Sequence, residues 1–249
     1  MSSDTHTLSF IARIAGHTFA VYDSTEYMRR RFAPFLTDCA EPECRVIITP
    51  EEIAAREAQG ISHPYPQLVE DHVARFLLTK DVLHIHASAL RYRGSAFLFA
   101  APSGTGKSTH ARLWREVFGS EVTMINDDKP FLRLDTGKVH VCGSPWNGKH
   151  DLGTNLEAPL KSICILHQGE ENHIRKLSKD DAFFYLIRQI YIWDNMEDTR
   201  KIMKLIDCLV TEVPVYQLSC RPTHDAAQLA CRIMSGDGPA QDGGTGEAQ

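Results

Sequence analysis

Ala101-Pro-Ser-Gly-Thr-Gly-Lys-Ser108 is the stretch whose reading decides the fold. It is entered from Ser95-Ala-Phe-Leu-Phe-Ala100, an apolar run of strand length. It is left through Thr109-His-Ala-Arg-Leu-Trp-Arg-Glu-Val-Phe118, where Leu113, Trp114 and Val117 recur at helical spacing. Strand, small-residue loop and helix in this order read as a phosphate-binding loop. Small, flexible residues let successive backbone N–H groups close around anionic oxygens, and the helix turns its positive end toward them. The expected cradle is Ser103, Gly104, Thr105, Gly106, Lys107, Ser108 and Thr109. Lys107 would reach the β- and γ-phosphates of ATP, and the Ser108 hydroxyl would hold Mg²⁺. Loops of this kind usually begin with Gly. Here Ala101 stands in that place, which the geometry tolerates if residue 101 keeps a negative φ.

Downstream, Glu121-Val-Thr-Met-Ile-Asn-Asp127-Asp128 reads as a short apolar strand ending in two carboxylates. In a parallel sheet the carboxyl ends of neighbouring strands gather on one edge, which would bring Asp127 and Asp128 toward the phosphates. One carboxylate can hold Mg²⁺ while the other accepts a proton from an attacking hydroxyl. A solvated turn before Pro130 is the alternative. Upstream, Asp81-Val-Leu-His-Ile-His-Ala-Ser-Ala-Leu-Arg-Tyr92 reads as one strand beside that of the loop, with His84, His86 and Ser88 on one face by the period of two. His-x-His pairs can bind zinc, but no third and fourth ligand stands at usable spacing, and His84 equally suits a core position.

The order His86-Ala-Ser-Ala, then Pro-Ser-Gly-Thr-Gly-Lys-Ser, then Asn-Asp-Asp resembles the catalytic domain of HPr kinase/phosphorylase, over roughly residues 80 to 234. That family shares its phosphate-site architecture with ATP-dependent phosphoenolpyruvate carboxykinases. The resemblance implies an α/β fold with a mixed central sheet, His86 near the reacting phosphate, Asp127 assisting with Mg²⁺ and Asp128 as base, the two aspartates being exchangeable. It also implies a basic residue approaching the phosphates from the region of Arg188, for which a helix-surface ion pair is the alternative. The second signature segment and the N-terminal domain of true HPr kinases are not found, nor are oxaloacetate-binding residues of a carboxykinase. In their place stands Cys142-Gly-Ser-Pro-Trp-Asn-Gly-Lys149, followed by Leu152-Gly-Thr-Asn-Leu-Glu-Ala-Pro-Leu160. This segment is similar to one in small HPr-kinase-like proteins encoded beside ribosomally made peptides, some of which phosphorylate a serine hydroxyl. Trp146 and Lys149 are then expected on the acceptor side, Trp146 having core packing as its alternative.

With 43% apolar residues in 249, the chain can bury a substantial core. No apolar run nears the roughly 20 residues that span a bilayer, and the polar start lacks a signal-peptide core, so the cytoplasm is the expected compartment. A net charge of −5, from 27 basic and 32 acidic residues, argues against a nucleic-acid surface. Seven cysteines without a Cys-x-x-Cys pair suggest reduced, structural thiols. Arg29-Arg30-Arg31 is expected on a solvated helix face.

Three segments follow: a small α/β unit at 1–63, an ATP-binding catalytic domain at 64–234 and a flexible tail at 235–249. Within the second, Phe131–Leu134 and Lys138–Val141 flank Asp135-Thr-Gly137 as a β-hairpin, which makes the sheet mixed. Ile163–Leu166 and Val215–Leu218 read as strands. Asp180–Trp193, Thr199–Val213 and Thr223–Met234 read as helices, the last with Thr223 as N-cap. The expected activity is Mg²⁺-dependent transfer of the γ-phosphoryl of ATP to a serine of a peptide or small protein, with no nucleic-acid or membrane partner and a homo-oligomer open. An ATP-binding regulatory or assembly module is the alternative, a carboxykinase-like enzyme a more distant one.

Overall fold

The computed structural model describes residues 6–193 and 195–237. The tail expected at 235–249 falls, from residue 238 on, outside the described residues.

The chain opens with an antiparallel pair, β1 (Leu8–Ile14) and β2 (His17–Tyr22), joined in parallel by β3 (Cys44–Val46). Between β2 and β3 lies α1 (Glu26–Phe32), whose N-cap Thr25 accepts the Met28 N–H. After β3 comes α2 (Pro50–Ala58), a helix the sequence reading passes over. Its local signals are complete: Thr49 and Glu52 form a reciprocal capping box, and Pro50 occupies the first helical turn. Then α3 (Tyr65–Thr79) lays Val69, Val73 and Leu77 against the three-stranded sheet. That apolar cluster also takes in Phe131, Cys142 and Trp146, so it runs across residue 63.

The larger sheet has nine strands: β4 (Val82–His84), β5 (Ala87–Tyr92), β6 (Ser95–Ala100), β7 (Val122–Asn126), β8 (Phe131–Asp135), β9 (Lys138–Cys142), β10 (Glu157–Gln168), β11 (His173–Lys176) and β12 (Val215–Cys220). The main path runs β4-β8-β9-β10-β6-β5-β7, with β12 on β10 and β11 on β12. Strand β10 is long enough to serve two neighbourhoods. Its start pairs antiparallel with β9, while Ile163 to Ile165 lie in parallel register between β6 and β12. The hairpin expected at Asp135-Thr-Gly137 is β8–β9, and the sheet is mixed.

Period-two alternation explains why both faces are covered. In β6, Phe97 and Phe99 face the cluster under α4 (Lys107–Phe118) and α7 (His224–Ser235). Leu98 and Ala100 face the cluster under α5 (Lys179–Ile187) and α6 (Met196–Glu212). Thr223 caps α7 by accepting the Ala226 N–H, as the sequence predicts. No helix among the described residues is long and apolar enough to cross a membrane.

Two expectations fail. The helix expected over Asp180–Trp193 ends at Ile187, because Ile190 is drawn into an antiparallel bridge with Ile85. Asp81–Tyr92 is not one strand: β4 pairs with β8, whereas β5 lies between β6 and β7. At the break the Ile85 N–H donates to Pro130 O (3.3 Å) and the His86 N–H to Gln189 O (2.7 Å), partners outside both strands' ladders. The period-two argument therefore does not carry from His84 to His86.

Candidate active site

The loop between β6 and α4 has the backbone its glycines permit. Gly104 (φ 80°) and Gly106 (φ 119°) sit in the left-handed region, where a Cβ is strained. Ala101 is fully buried and is not among the positive-φ residues, so its methyl group is accommodated. Gly106 is the N-cap of α4 and supplies no side chain, which leaves first-turn N–H groups available to an anion. Lys107 folds back along the loop, its Nζ donating to Ala101 O at 2.8 Å. Burial lowers its pKa, and the charge of Asp128 opposes that shift.

The acidic edge is reached through an intervening antiparallel strand, not by direct parallel pairing. Strand β7 is not the neighbour of β6; β5 stands between them, antiparallel to both. Because two reversals restore direction, β6 and β7 end on the same edge, where β5 begins. His86, just before β5, thus lies between the loop and the carboxylates.

His86 Nε2 is 3.3 Å from Asp128 Oδ1. Hydrogen bonding to His86 is the main cause of an Asp128 pKa held below the ordinary aspartate value, against half-burial that would raise it. Asp127 is buried, and its Oδ1 accepts the Gly148 N–H at 2.7 Å. Its backbone carbonyl takes the Ser88 hydroxyl at 3.1 Å.

Asn126, quoted in the motif but given no role there, holds this turn together. Its Oδ1 accepts the N–H groups of Asp128 (2.8 Å) and Lys129 (2.6 Å). Its Nδ2 donates to Ser144 Oγ (3.0 Å) and Asn147 Oδ1 (2.9 Å). One fully buried amide therefore ties the carboxylate turn to the 144–147 loop. An Asn at the end of an apolar strand, placed so that its Oδ1 accepts the N–H two residues on, is an Asx-turn signal.

Together these elements enclose a cavity of about 860 Å³. His86, Ser103, Gly104, Gly106, Lys107, Ser108, Thr109, Asp127, Asp128 and Lys149 line it, and so do Gly148, His150, Arg112 and Arg115. Thr105 is not on the wall. The arginines could have been found by period: Arg112 and Arg115 follow Ser108 at four and seven residues, on one helical face.

Two expected substrate residues are absent from the wall of this cavity. Arg188 is exposed at the end of α5, its guanidinium 5.5 Å over the Phe184 ring, and is absent from the cavity wall. Trp146 packs edge-on against Phe32 (5.6 Å) and Phe131 (6.1 Å) in the cluster shared with the N-terminal unit, and borders a separate, smaller cavity. Its indole N–H is buried without a partner among the described residues. His84 is core: it stacks between Phe131 (4.7 Å) and Tyr191 (4.5 Å). The arginine run is not wholly solvated either. Arg31 donates to Pro145 O (3.0 Å) and Asn147 O (3.2 Å), bridging α1 to the loop beside the carboxylates.

The residues present suit Mg²⁺ held jointly with phosphates. Asp127 has one oxygen committed to Gly148, and Ser108 is exposed on the same wall. Among the described residues there is no cluster of three or more His, Cys, Asp or Glu that a self-contained metal site would need. Mg²⁺ needs only one or two protein ligands when phosphate oxygens complete its shell.

No protein-family profile matches the chain, and no curated protein matches it. Among solved structures, the HPr(Ser) kinase/phosphatase from Coxiella burnetii is similar at 13% identity and a TM-score of 0.36, over 61% of this chain and 86% of that one.

Proposed function

We propose that this protein is an ATP- and Mg²⁺-dependent phosphotransferase that moves the γ-phosphoryl group to a hydroxyl, a serine of a peptide or small protein. The observation that carries the reading is the meeting, in one cavity, of Lys107 and the open start of α4 with a second pair of groups, Asp128 and His86. Binding a nucleotide needs only the first pair; a base supported by an imidazole serves proton transfer.

The loop N–H groups and Lys107 would hold the phosphates, and Arg112 and Arg115 add positive charge along the same wall. When bound, Mg²⁺ would neutralise phosphate charge, with Ser108 and Asp127 as its protein ligands. The acceptor oxygen forms a bond to the γ-phosphorus as the bond to the ADP oxygen breaks. The hydroxyl proton passes to Asp128, which His86 keeps ionised and oriented. Such a base contributes about 10²- to 10⁴-fold to the rate. The compartment that fits the reading is the cytoplasm, where ATP is available.

The test is incubation with γ-labelled ATP, Mg²⁺ and a lysate of the source organism, beside the Lys107→Ala variant. Label should appear in a discrete peptide or protein band with the wild type and vanish with the variant, whose Mg-ATP affinity should also fall by calorimetry. A labelling pattern identical for the two proteins would refute the proposal.

A further inference from the structure

Asp128, the residue assigned as base, borders two cavities. Besides the loop cavity, a smaller one of about 160 Å³ is walled by Tyr27 and Arg31 of α1, by Lys129, Trp146 and Asn147, and by Asp128. Asp128 is the one residue common to both walls among the described residues.

In-line displacement makes this arrangement meaningful. The attacking and leaving oxygens stand on opposite sides of the transferred phosphorus, so the acceptor cannot approach from the side occupied by the nucleotide. A base that takes the acceptor's proton must face the acceptor's side. A residue shared by a nucleotide cavity and a second opening meets both conditions. The second opening has room for about five waters at ~30 Å³ each, enough for a short side chain but not for a second nucleotide.

Its charge selects further. Lys129 is neutralised by Glu70, which its Nζ meets at 2.7 and 2.9 Å. Arg31 has no carboxylate within 4.0 Å among the described residues; its donors go to the neutral carbonyls of Pro145 and Asn147 and to the Tyr27 hydroxyl. Its positive charge is left for a ligand to meet.

We propose that this small cavity is the acceptor port: it admits an aliphatic hydroxyl borne by a peptide segment with a carboxylate close to it, which Arg31 meets while Tyr27 packs on the segment. The N-terminal unit, through α1, thereby sets acceptor choice. The proposal rests on the phosphotransfer reading above.

The probe is a positional-scanning library of serine peptides with γ-labelled ATP. Wild type should favour Asp or Glu near the serine. Arg31→Gln should abolish that preference, and Tyr27→Ala should raise the KM for the best peptide at least about tenfold, with Mg-ATP affinity within about twofold by calorimetry. Tyr27 is 56% exposed, so its variant decides the matter even if Arg31→Gln loosens the 145–147 loop. Unchanged peptide KM in Tyr27→Ala would overturn the port while leaving the kinase standing. Labelling without any acidic preference would overturn the role of Arg31. No labelling of any peptide by wild type would remove the phosphotransfer reading, and the port with it.

Discussion

Replacing Asn126 by Ala tests whether the carboxylate turn is held as the structure shows. The variant deletes the acceptor of the Asp128 and Lys129 N–H groups and the donor to Ser144 and Asn147, at a fully buried site. An unsatisfied buried donor costs about 1–3 kcal/mol, and two are orphaned. Water reaching the partly buried turn recovers some of this, so we expect a loss of about 2–4 kcal/mol. With a urea m-value of about 1–3 kcal/mol per M, the unfolding midpoint should drop by roughly 1–2 M. Activity should fall more steeply than stability explains, because displacing a reacting group by about 1 Å can cost 10²-fold. Asn155→Ala is the control: its Nδ2 also donates to a carbonyl, Pro34 O at 3.0 Å, but on the exposed surface, and it should shift stability by less than about 0.5 kcal/mol. Equal unfolding midpoints for Asn126→Ala and wild type, with equal turnover, would refute the reasoning.

Four further outcomes are expected. Asp128→Asn should bind Mg-ATP nearly as wild type yet transfer phosphate at least about a hundredfold more slowly, measured as single-turnover rates. Because His86 holds the Asp128 pKa down, Asp128 stays ionised below the ordinary aspartate value; if Asp128 is the base, His86→Ala should move the acid limb of the kcat/KM profile upward, and an unmoved limb would detach His86 from it. Gly148→Ala would place a Cβ 3.1 Å from Asp127 Oδ2 and 3.4 Å from Asp128 Cβ, so the turn must give by tenths of an ångström. Turnover should drop about 10- to 100-fold with circular dichroism unchanged, and full activity would show the turn to be compliant. Burial lowers the His84 pKa from 6.5 to about 3, so the unfolded chain binds the extra proton between these values. Stability then declines as pH falls through that window, by up to ~1.4 kcal/mol per unit, and His84→Phe should flatten that part of the urea-midpoint profile.

The sequence by itself determined what short-range physics controls. The loop is legible because φ-permissive glycines, a lysine and a helix start stand within eight residues. Thr223 is legible as a cap because an N-cap acts on an N–H three residues on, and the β8–β9 hairpin because its turn is local. The capping box at Thr49 and Glu52 is equally local and equally readable. Tertiary structure decided the rest. Whether Asp81–Tyr92 is one strand or two depends on where the N–H groups of Ile85 and His86 find acceptors, at Pro130 and Gln189, which no local pattern encodes. The insertion of β5 between β6 and β7 brings His86 to the carboxylates while leaving His84 in the core. Arg31 reaches the acid turn's neighbour across 114 residues, and Trp146 is claimed by Phe32 from the N-terminal unit. Such pairings follow from which apolar faces bury each other once the chain is compact. A motif can therefore announce a loop and the helix start that follows it, but only packing decides what stands opposite them.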